Sequence, residues 1–290
     1  VIGTLIALAR LSNNWLLSKI ALGYIEFHRN IPLLVLLFLW YFTVFQQFPN
    51  VNNAITLPGP VYLTQRGVYL TWPRLSENST LFLIFLILGI ILSILAFWFL
   101  RKRRTQTGKR TFHVPISVLI LIGMPLLGWL FSSSPPLYLD VPVFTQKNFD
   151  GGLRLVPEFG ALLVGLTTYT AAFIAEVVRA GIQAVPKGQI EAAKALGLTN
   201  GQVTSLVIFP QALRVMIPPM ISQYLNLTKN SSLALAIGFQ DLFSVGKIAI
   251  NQAGRAVPVF IMIMVSYLAM SLLTSLVLNI YNKRIQFVER

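Results

Sequence analysis

"PKGQIEAAKALGLTNGQVTSLVIFPQALR", residues 186–214, is a charged, glycine-punctuated stretch between two long apolar spans. It carries Lys187, Glu191, Lys194 and Arg214, glycines at 188, 197 and 201, and a proline at 210. Pro186 precedes a predicted helix over 188–197, and Gly197 suits a left-handed stop after its last turn. Glu191 lies toward the positive end of the helix dipole, three residues from Lys194, a spacing that lets the two pair. Ile190, Ala193 and Leu196 are predicted to share one face, with Ala192 and Ala195 keeping neighbouring faces slim. Thr199 can cap the turn that follows. Small residues let a partner approach the backbone closely, and a compact helix with a firm stop can transmit force. The simpler alternative is an interfacial helix lying on the bilayer.

The surroundings of this stretch are membrane-like. The chain is 55% hydrophobic and 11% charged, against about 25% charged for a soluble domain, and its mean hydropathy is +0.71. It is therefore an integral membrane protein. The absence of cysteine excludes disulfides and thiol chemistry. His28 and His113 lie far apart in loop-like contexts, which gives no metal cluster and an ordinary solvated role.

A membrane helix needs roughly 17–25 mostly apolar residues. Segments 31–48, 81–100, 115–131, 157–178 and 257–281 qualify, as does a less uniform one at 211–230 interrupted by Pro218-Pro219. The opening "VIGTLIALA" (1–9) reads as the cytoplasmic end of a further helix that begins upstream. These spans force the loops to alternate sides. Loops 10–30, 101–114, 179–214 and 282–290 hold 16 of the 23 Lys/Arg, and loops 49–80, 132–156 and 229–256 hold 7. The basic side is cytoplasmic, with "RKRRTQTGKR" (101–110) its strongest marker. A net charge of +14 is thus a topology signal rather than a nucleic-acid footprint. Loops 49–80 and 132–156, rich in Pro, Asn and Gly, are expected to be irregular connections. The whole of 1–290 reads as one membrane domain.

The motif itself reaches a family. "EAAKALGLTNGQVTSLVIFPQ" resembles the EAA signature of ABC importer permeases through Glu191, Ala192, Ala193, Gly197, Ile208 and Pro210. The resemblance continues over "YTAAFIAEVVRAGIQAVPKGQ" (169–189), "PQALRVMIPP" (210–219), "LTKNSSLA" (227–234) and "YIEFHRNIPLL" (24–34). Together these segments resemble the polar amino acid permease family, and within it the general L-amino-acid permease subunits that work as unlike pairs. The resemblance implies an all-α membrane core of five helices: 1–9 (truncated), 31–48, 157–178, 211–230 and 257–281. Region 49–156 is then an insertion carrying an extra hairpin, 81–100 and 115–131. Residues 186–200 become a cytoplasmic coupling helix region, with Glu191, Ala192, Ala193, Gly197 and Pro210 as ATPase-coupling positions.

The chain carries no phosphate-binding loop, carboxylate pair or nucleophile set of its own. "TGKR" (107–110) and "VGKI" (245–248) lack the spacing and the hydroxyl of G-x-x-x-x-G-K-[ST]. It is not expected to be an enzyme or to hold a cofactor, ATP and Mg²⁺ belonging to a separate ATPase. The implied partners are a second, different permease chain, two ATPase subunits and an extracytoplasmic solute-binding protein, in a bacterial inner membrane. The implied substrates are polar L-amino acids such as glutamate, glutamine, aspartate and asparagine. The rival is a secondary transporter working without an ATPase, which would usually show broken helices in both halves of the chain.

Ionisable and polar groups within spans mark a pathway or gate. Glu176 and Arg179 are a local pair closing one helix end, or a gate contact. Lys229, with Asn226, Asn230, Ser231, Ser232 and Gln223, either steers a substrate carboxylate or satisfies helix-end carbonyls. Pro218-Pro219 is expected to kink or unwind its helix.

Overall fold

The computed structural model describes residues 1–108, 112–132 and 134–285. Lys109 and Arg110 of the basic loop, and Arg290 of the last one, lie outside the described residues. In chain order the elements begin with α1 (Ile2–Arg10), α2 (Trp15–Asn30) and α3 (Leu33–Phe38). The last continues through a π-helical turn, Leu39–Val44, and a 3-10 turn, Phe45–Gln47. Strands β1 (Ile55–Leu57), β2 (Val61–Thr64), β3 (Gly67–Leu70) and β4 (Trp72–Leu75) precede α4 (Thr80–Thr107) and α5 (His113–Leu130). Strands β5 (Leu137–Asp140), β6 (Val143–Thr145), β7 (Asn148–Asp150) and β8 (Leu153–Leu155) follow, then α6 (Pro157–Gln183) and α7 (Lys187–Ala195). The chain continues with α8 (Asn200–Gln202), a π-helical turn Val203–Ile208, α9 (Phe209–Asn230) and a 3-10 segment Ser231–Ile237. It ends in α10 (Leu242–Ala253) and α11 (Ala256–Ile285).

Five of these helical segments are long and apolar enough to cross a membrane: α4, α5, α6, the run 200–237, and α11. Helix α2 and the α3 run pass the same test only as a pair bent by 107° at Ile31-Pro32, the geometry of a broken span or a re-entrant loop. Pro32 explains the bend. It caps α3 and biases Ile31 to the extended backbone, which stops α2.

Two compact units make up the chain. One comprises Val1–Asn50, Thr64–Gly67 and Leu155–Arg290; the other, Val51–Leu63 and Val68–Arg154. In the first, α6 is the packing centre, with 44% of its apolar window buried against 17% for the run 200–237 and 6% for α11. Its buried face is mostly small: Ala161, Gly165, Ala171, Ala172, Ala175 and Gly181. Two apolar clusters form along it. Ala175 and Val178 pack with Ala7, Ile25, Val185, Ala212 and Met216. Toward its start, Ala161, Leu162 and Leu166 pack with Leu33, Leu37, Ala234 and Ile237. Because α9 meets the end of α6 through Ala212 and the start of α6 through Leu227, the two helices run antiparallel. Gly181 marks their closest approach, since a β-carbon there would lie 2.4 Å from Met216 Cγ.

In the second unit α4 and α5 form an antiparallel hairpin, closed by Ser93 Oγ donating to Ser117 O (2.8 Å) and by the Phe82–Trp129 edge contact. The strands make a four-stranded sheet, β1-β2-β3-β8, and two ribbons, β4-β5 and β6-β7. Tyr69, Val51 and Phe149 form a small core, with Tyr69 Oη donating to Asn148 Oδ1 (2.6 Å). Arg74 pairs with Asp140 at 2.8 Å on the β4-β5 ribbon.

Several sequence expectations need correction. Loops 49–80 and 132–156 are not irregular: alternation too short to read locally becomes strands once the two segments pair with each other. Residues 15–30 form a helix, so His28 is buried with its Nδ1 3.0 Å from Tyr24 O, and His113 opens α5. Pro218 and Pro219 lie within a continuous α9. Their fixed φ suits the helix, and the departures from α geometry fall before Pro210 and after Asn230 instead. Helix α10, capped by Asp241 Oδ1 accepting from Ser244 N (2.8 Å), was not anticipated.

Overpacking a close helix contact costs about 1–3 kcal/mol. Gly181→Leu should therefore lower the denaturation midpoint of the purified protein in detergent. Gly23→Leu, at a position open to a side chain, should not. Equal midpoints for both variants and the parent would show that α6 and α9 do not depend on this approach.

Candidate functional site

Helix α7 ends in a complete stop. Gly197 is left-handed (φ +81°), its N–H donates to Lys194 O (2.9 Å), and Leu198 N–H donates to Ala193 O (3.2 Å). This is the paired 6→1 and 5→2 closure that only glycine adopts at little cost. The next helix starts two residues later. Thr199 N–H donates to Gln202 Oε1 (2.9 Å) while Thr199 Oγ1 accepts from Gln202 N (3.4 Å), a reciprocal capping box. Gly197–Thr199 is thus an elbow with hydrogen bonds on both sides and no slack segment between.

The inner face of α7 is narrow. Ala193 is buried, and Ile190 packs on the cluster of Val178, Val185, Ala212 and Met216. Gln211 of α9 donates from Nε2 to Gln189 Oε1 and to Val207 O (3.1 Å), tying α7 to the helix after the elbow. The outer face is open: Glu191, Ala192, Lys194 and Ala195 are exposed, and Leu196 is 82% exposed. Leu196 therefore does not share the face of Ile190 and Ala193, because the helix ends before it and the left-handed turn brings Leu198 inward instead. Glu191 is the fifth helical residue, beyond the first turn, and it forms no ion pair with Lys194 among the described residues. Pro210, half-buried at the start of α9, follows directly on the π-helical turn Val203–Ile208. An i→i+5 turn absorbs the proline's missing donor without breaking the rod.

Glu176 and Arg179 meet in a forked pair on α6. Arg179 Nη2 lies 2.6 Å from Glu176 Oε2, Arg179 Nε donates to Oε1 (3.1 Å), and Arg179 Nη1 donates to Gln183 Oε1 (2.8 Å). A third member comes from α2, where Arg29 Nη1 is 4.0 Å from Glu176 Oε2 and its guanidinium lies 5.8 Å over the Phe173 ring. The carboxylate therefore joins α6 to α2. The sequence showed only the local half of this group.

At the far end of α9 the polar residues mostly satisfy the backbone. Thr228 Oγ1 donates to Tyr224 O (3.2 Å), Ser231 Oγ to Thr228 O (2.8 Å) and Ser232 Oγ to Lys229 O (2.8 Å). Lys229 and Asn226 are exposed, Gln223 and Asn230 half-buried. Lys229 pairs with no carboxylate among the described residues. The structure thus keeps this lysine apart from the Glu176 group, at the opposite end of α6 from Ala175 and Val178. A cavity of about 310 Å³ lies between α1, α6 and α9, lined in part by Thr167, Thr170 and Tyr224.

Two polar contacts inside the apolar unit were missed. Tyr267 Oη of α11 donates to Asp241 Oδ2 (3.2 Å), and Tyr41 Oη donates to Glu158 Oε1 (3.0 Å) in the first turn of α6. For Asp241 a signal existed in the sequence "DLFS", an acidic residue three before a helical serine. Tyr41 and Glu158 are 117 positions apart, which no local pattern connects.

Comparison with known proteins places this geometry. Residues 111–287 match the family described as the binding-protein-dependent transport system inner membrane component. Over its full length the chain is 47% identical to a putative amino-acid ABC transporter permease, YhdX of Escherichia coli K12, covering 74% of that protein. It is 45% identical, again over its full length and 72% of the relative, to the general L-amino acid transport system permease AapQ of Rhizobium johnstonii. Over 97% of the chain it is 40% identical to BztB, a glutamate/glutamine/aspartate/asparagine transport system permease of Rhodobacter capsulatus, covering 73% of it. A crystal structure of an amino acid ABC transporter with histidines has the same fold. Its TM-score is 0.55 at 23% identity, over 98% of this chain and 83% of that one. A chain with this helical core, matched end to end by such relatives, belongs to the inner-membrane permease family of binding-protein-dependent transport systems, among its amino-acid ABC transporter permeases.

Proposed function

We propose that this permease is one of two unlike membrane subunits of an importer for polar L-amino acids, acidic and neutral ones such as glutamate, glutamine, aspartate and asparagine. Two ATPase subunits would supply the energy, binding ATP and Mg²⁺ themselves, and a solute-binding protein would deliver substrate outside. The naming of both BztB and BztC of Rhodobacter capsulatus as permeases of one transport system supports the unlike pair, since this chain is similar to each.

The observation that carries the coupling reading is the two-sidedness of α7. Its inner face, with Ala193 buried, is fastened through Ile190 to the cluster on α6 and α9 and through Gln189 to α9, while Glu191, Ala192, Lys194 and Leu196 are left outward for a partner. A push on that outer face would pass through the Gly197–Thr199 elbow into α9, because the bonds on either side leave the elbow little freedom to yield. Region 49–156 would be an insertion in the five-helix core. The Glu176–Arg179–Arg29 group would act as a gate contact at the α7 end of the bundle, and Lys229, with Gln223, Asn226, Asn230, Ser231 and Ser232, would line the pathway at the other.

Gly197→Asp puts a side chain on a left-handed residue, a strain of about 1–2 kcal/mol, and Glu191→Lys reverses the charge of the outer face. In the assembled transporter both should insert normally and keep ATP hydrolysis while losing most amino-acid uptake. Uptake at the parental rate by both variants would remove the coupling role.

Lys229→Ala should raise the uptake KM of glutamate and glutamine alike by roughly ten-fold, the scale of one charge-assisted hydrogen bond to the shared α-carboxylate. An unchanged KM for both would assign the lysine to the helix end alone. Reconstituted uptake by the isolated chain, driven by a proton or sodium gradient, would favour the secondary-transporter alternative instead.

A further inference from the structure

The hairpin of α4 and α5 carries a groove that the transport reading leaves unused. It is about 640 Å³, and its walls are wholly apolar, including Leu95, Phe99 and Trp98 from α4 and Leu119 and Met124 from α5. Gly123 forms part of its floor, with no atom within 4 Å of where a β-carbon would stand. Along α4 the lining runs Leu92, Leu95, Phe99, a stripe at three- and four-residue spacing. The helix does not end with that stripe. It continues to Thr107, so the stripe passes without a break into Lys102 and its neighbours Arg101, Arg103 and Arg104, all exposed.

The two regions touch. Lys102 Nζ lies 5.2 Å over the ring of Trp98, which itself lines the groove, and the Arg101 guanidinium lies 6.0 Å over Phe97. Lys102, held on the Trp98 face, stays beside the groove mouth instead of dispersing into water, and Arg101 is held on Phe97 at the same end of α4. An apolar slot in the hydrocarbon layer, opening on a cationic cluster at the level of the headgroups, matches one chemistry: an acyl chain joined to an anionic headgroup.

We propose that this groove binds an anionic phospholipid of the cytoplasmic leaflet, with one acyl chain along Leu92–Phe99 and its phosphate against Arg101, Lys102, Arg103 and Arg104. A zwitterionic lipid satisfies the slot but not the charge. A neighbouring permease chain would need an acidic complement to the cluster.

The test uses the assembled transporter purified in detergent and supplied with phosphatidylglycerol or phosphatidylcholine of identical acyl chains, with retained lipid counted by native mass spectrometry. The parent should retain phosphatidylglycerol over phosphatidylcholine by about ten-fold or more, given the contribution of each basic residue near an anionic headgroup. The combined variant Arg101→Gln, Lys102→Gln, Arg103→Gln and Arg104→Gln should level the two lipids. Gly123→Phe, which fills the floor with the charges intact, should lose both. Equal retention of the two lipids by the parent would overturn the proposal. So would a preference that survives both variants, or a cross-link from Gly123→Cys to a companion subunit across the groove.

Discussion

Helix α6 can be the centre of its unit because its packing face is built from alanine and glycine. Ala171, Ala172 and Ala175 are at most 4% exposed, and Gly181 receives Met216 at a distance no side chain would allow. In lipid there is no hydrophobic gain from bringing one apolar helix to another, so association rests on close van der Waals contact between small surfaces. Helices α1, α2, α3 and α9 all meet α6, and the two apolar clusters at its ends are both organised on it. Remove the small residues and the other helices lose the one surface they share.

The same economy governs α7. Its contact with the bundle is one isoleucine and a glutamine pair, with Ala193 buried beside them, yet its C-terminal end is held by the paired backbone hydrogen bonds of Gly197 and Leu198. Few contacts suffice because the turn geometry leaves few ways to move. That arrangement leaves a broad outer face available while keeping the helix oriented, which is what the coupling role proposed for it would require. The departures from α geometry around α9 lie outside α7, at 203–208 and 231–237, while the middle of α9, prolines included, stays regular.

In the second unit the hairpin and the strands solve different problems. The strands bury a tyrosine–phenylalanine core, and their pairing satisfies the backbone groups buried with it. The hairpin buries little of itself: 17% of the α4 window and 11% of the α5 window are inside the chain. Its long apolar surfaces are therefore left open within this chain, and they lead directly into the run of basic residues at the end of α4.

Much of this was readable along the chain. Apolar length gave the long helices, because hydration cost acts residue by residue. Gly197 and Thr199 announced the elbow for a similar reason: a left-handed stop and a helix cap depend on neighbours in sequence. Leu196 leaves the face that periodicity predicts for it because the helix ends at Ala195. Paired strands, the extra arm from Arg29 to Glu176, the Tyr267–Asp241 and Tyr41–Glu158 bonds, and the slot beside Trp98 were decided only in three dimensions. Each joins groups that are distant along the chain, and it is close packing, not local propensity, that chooses which of them meet.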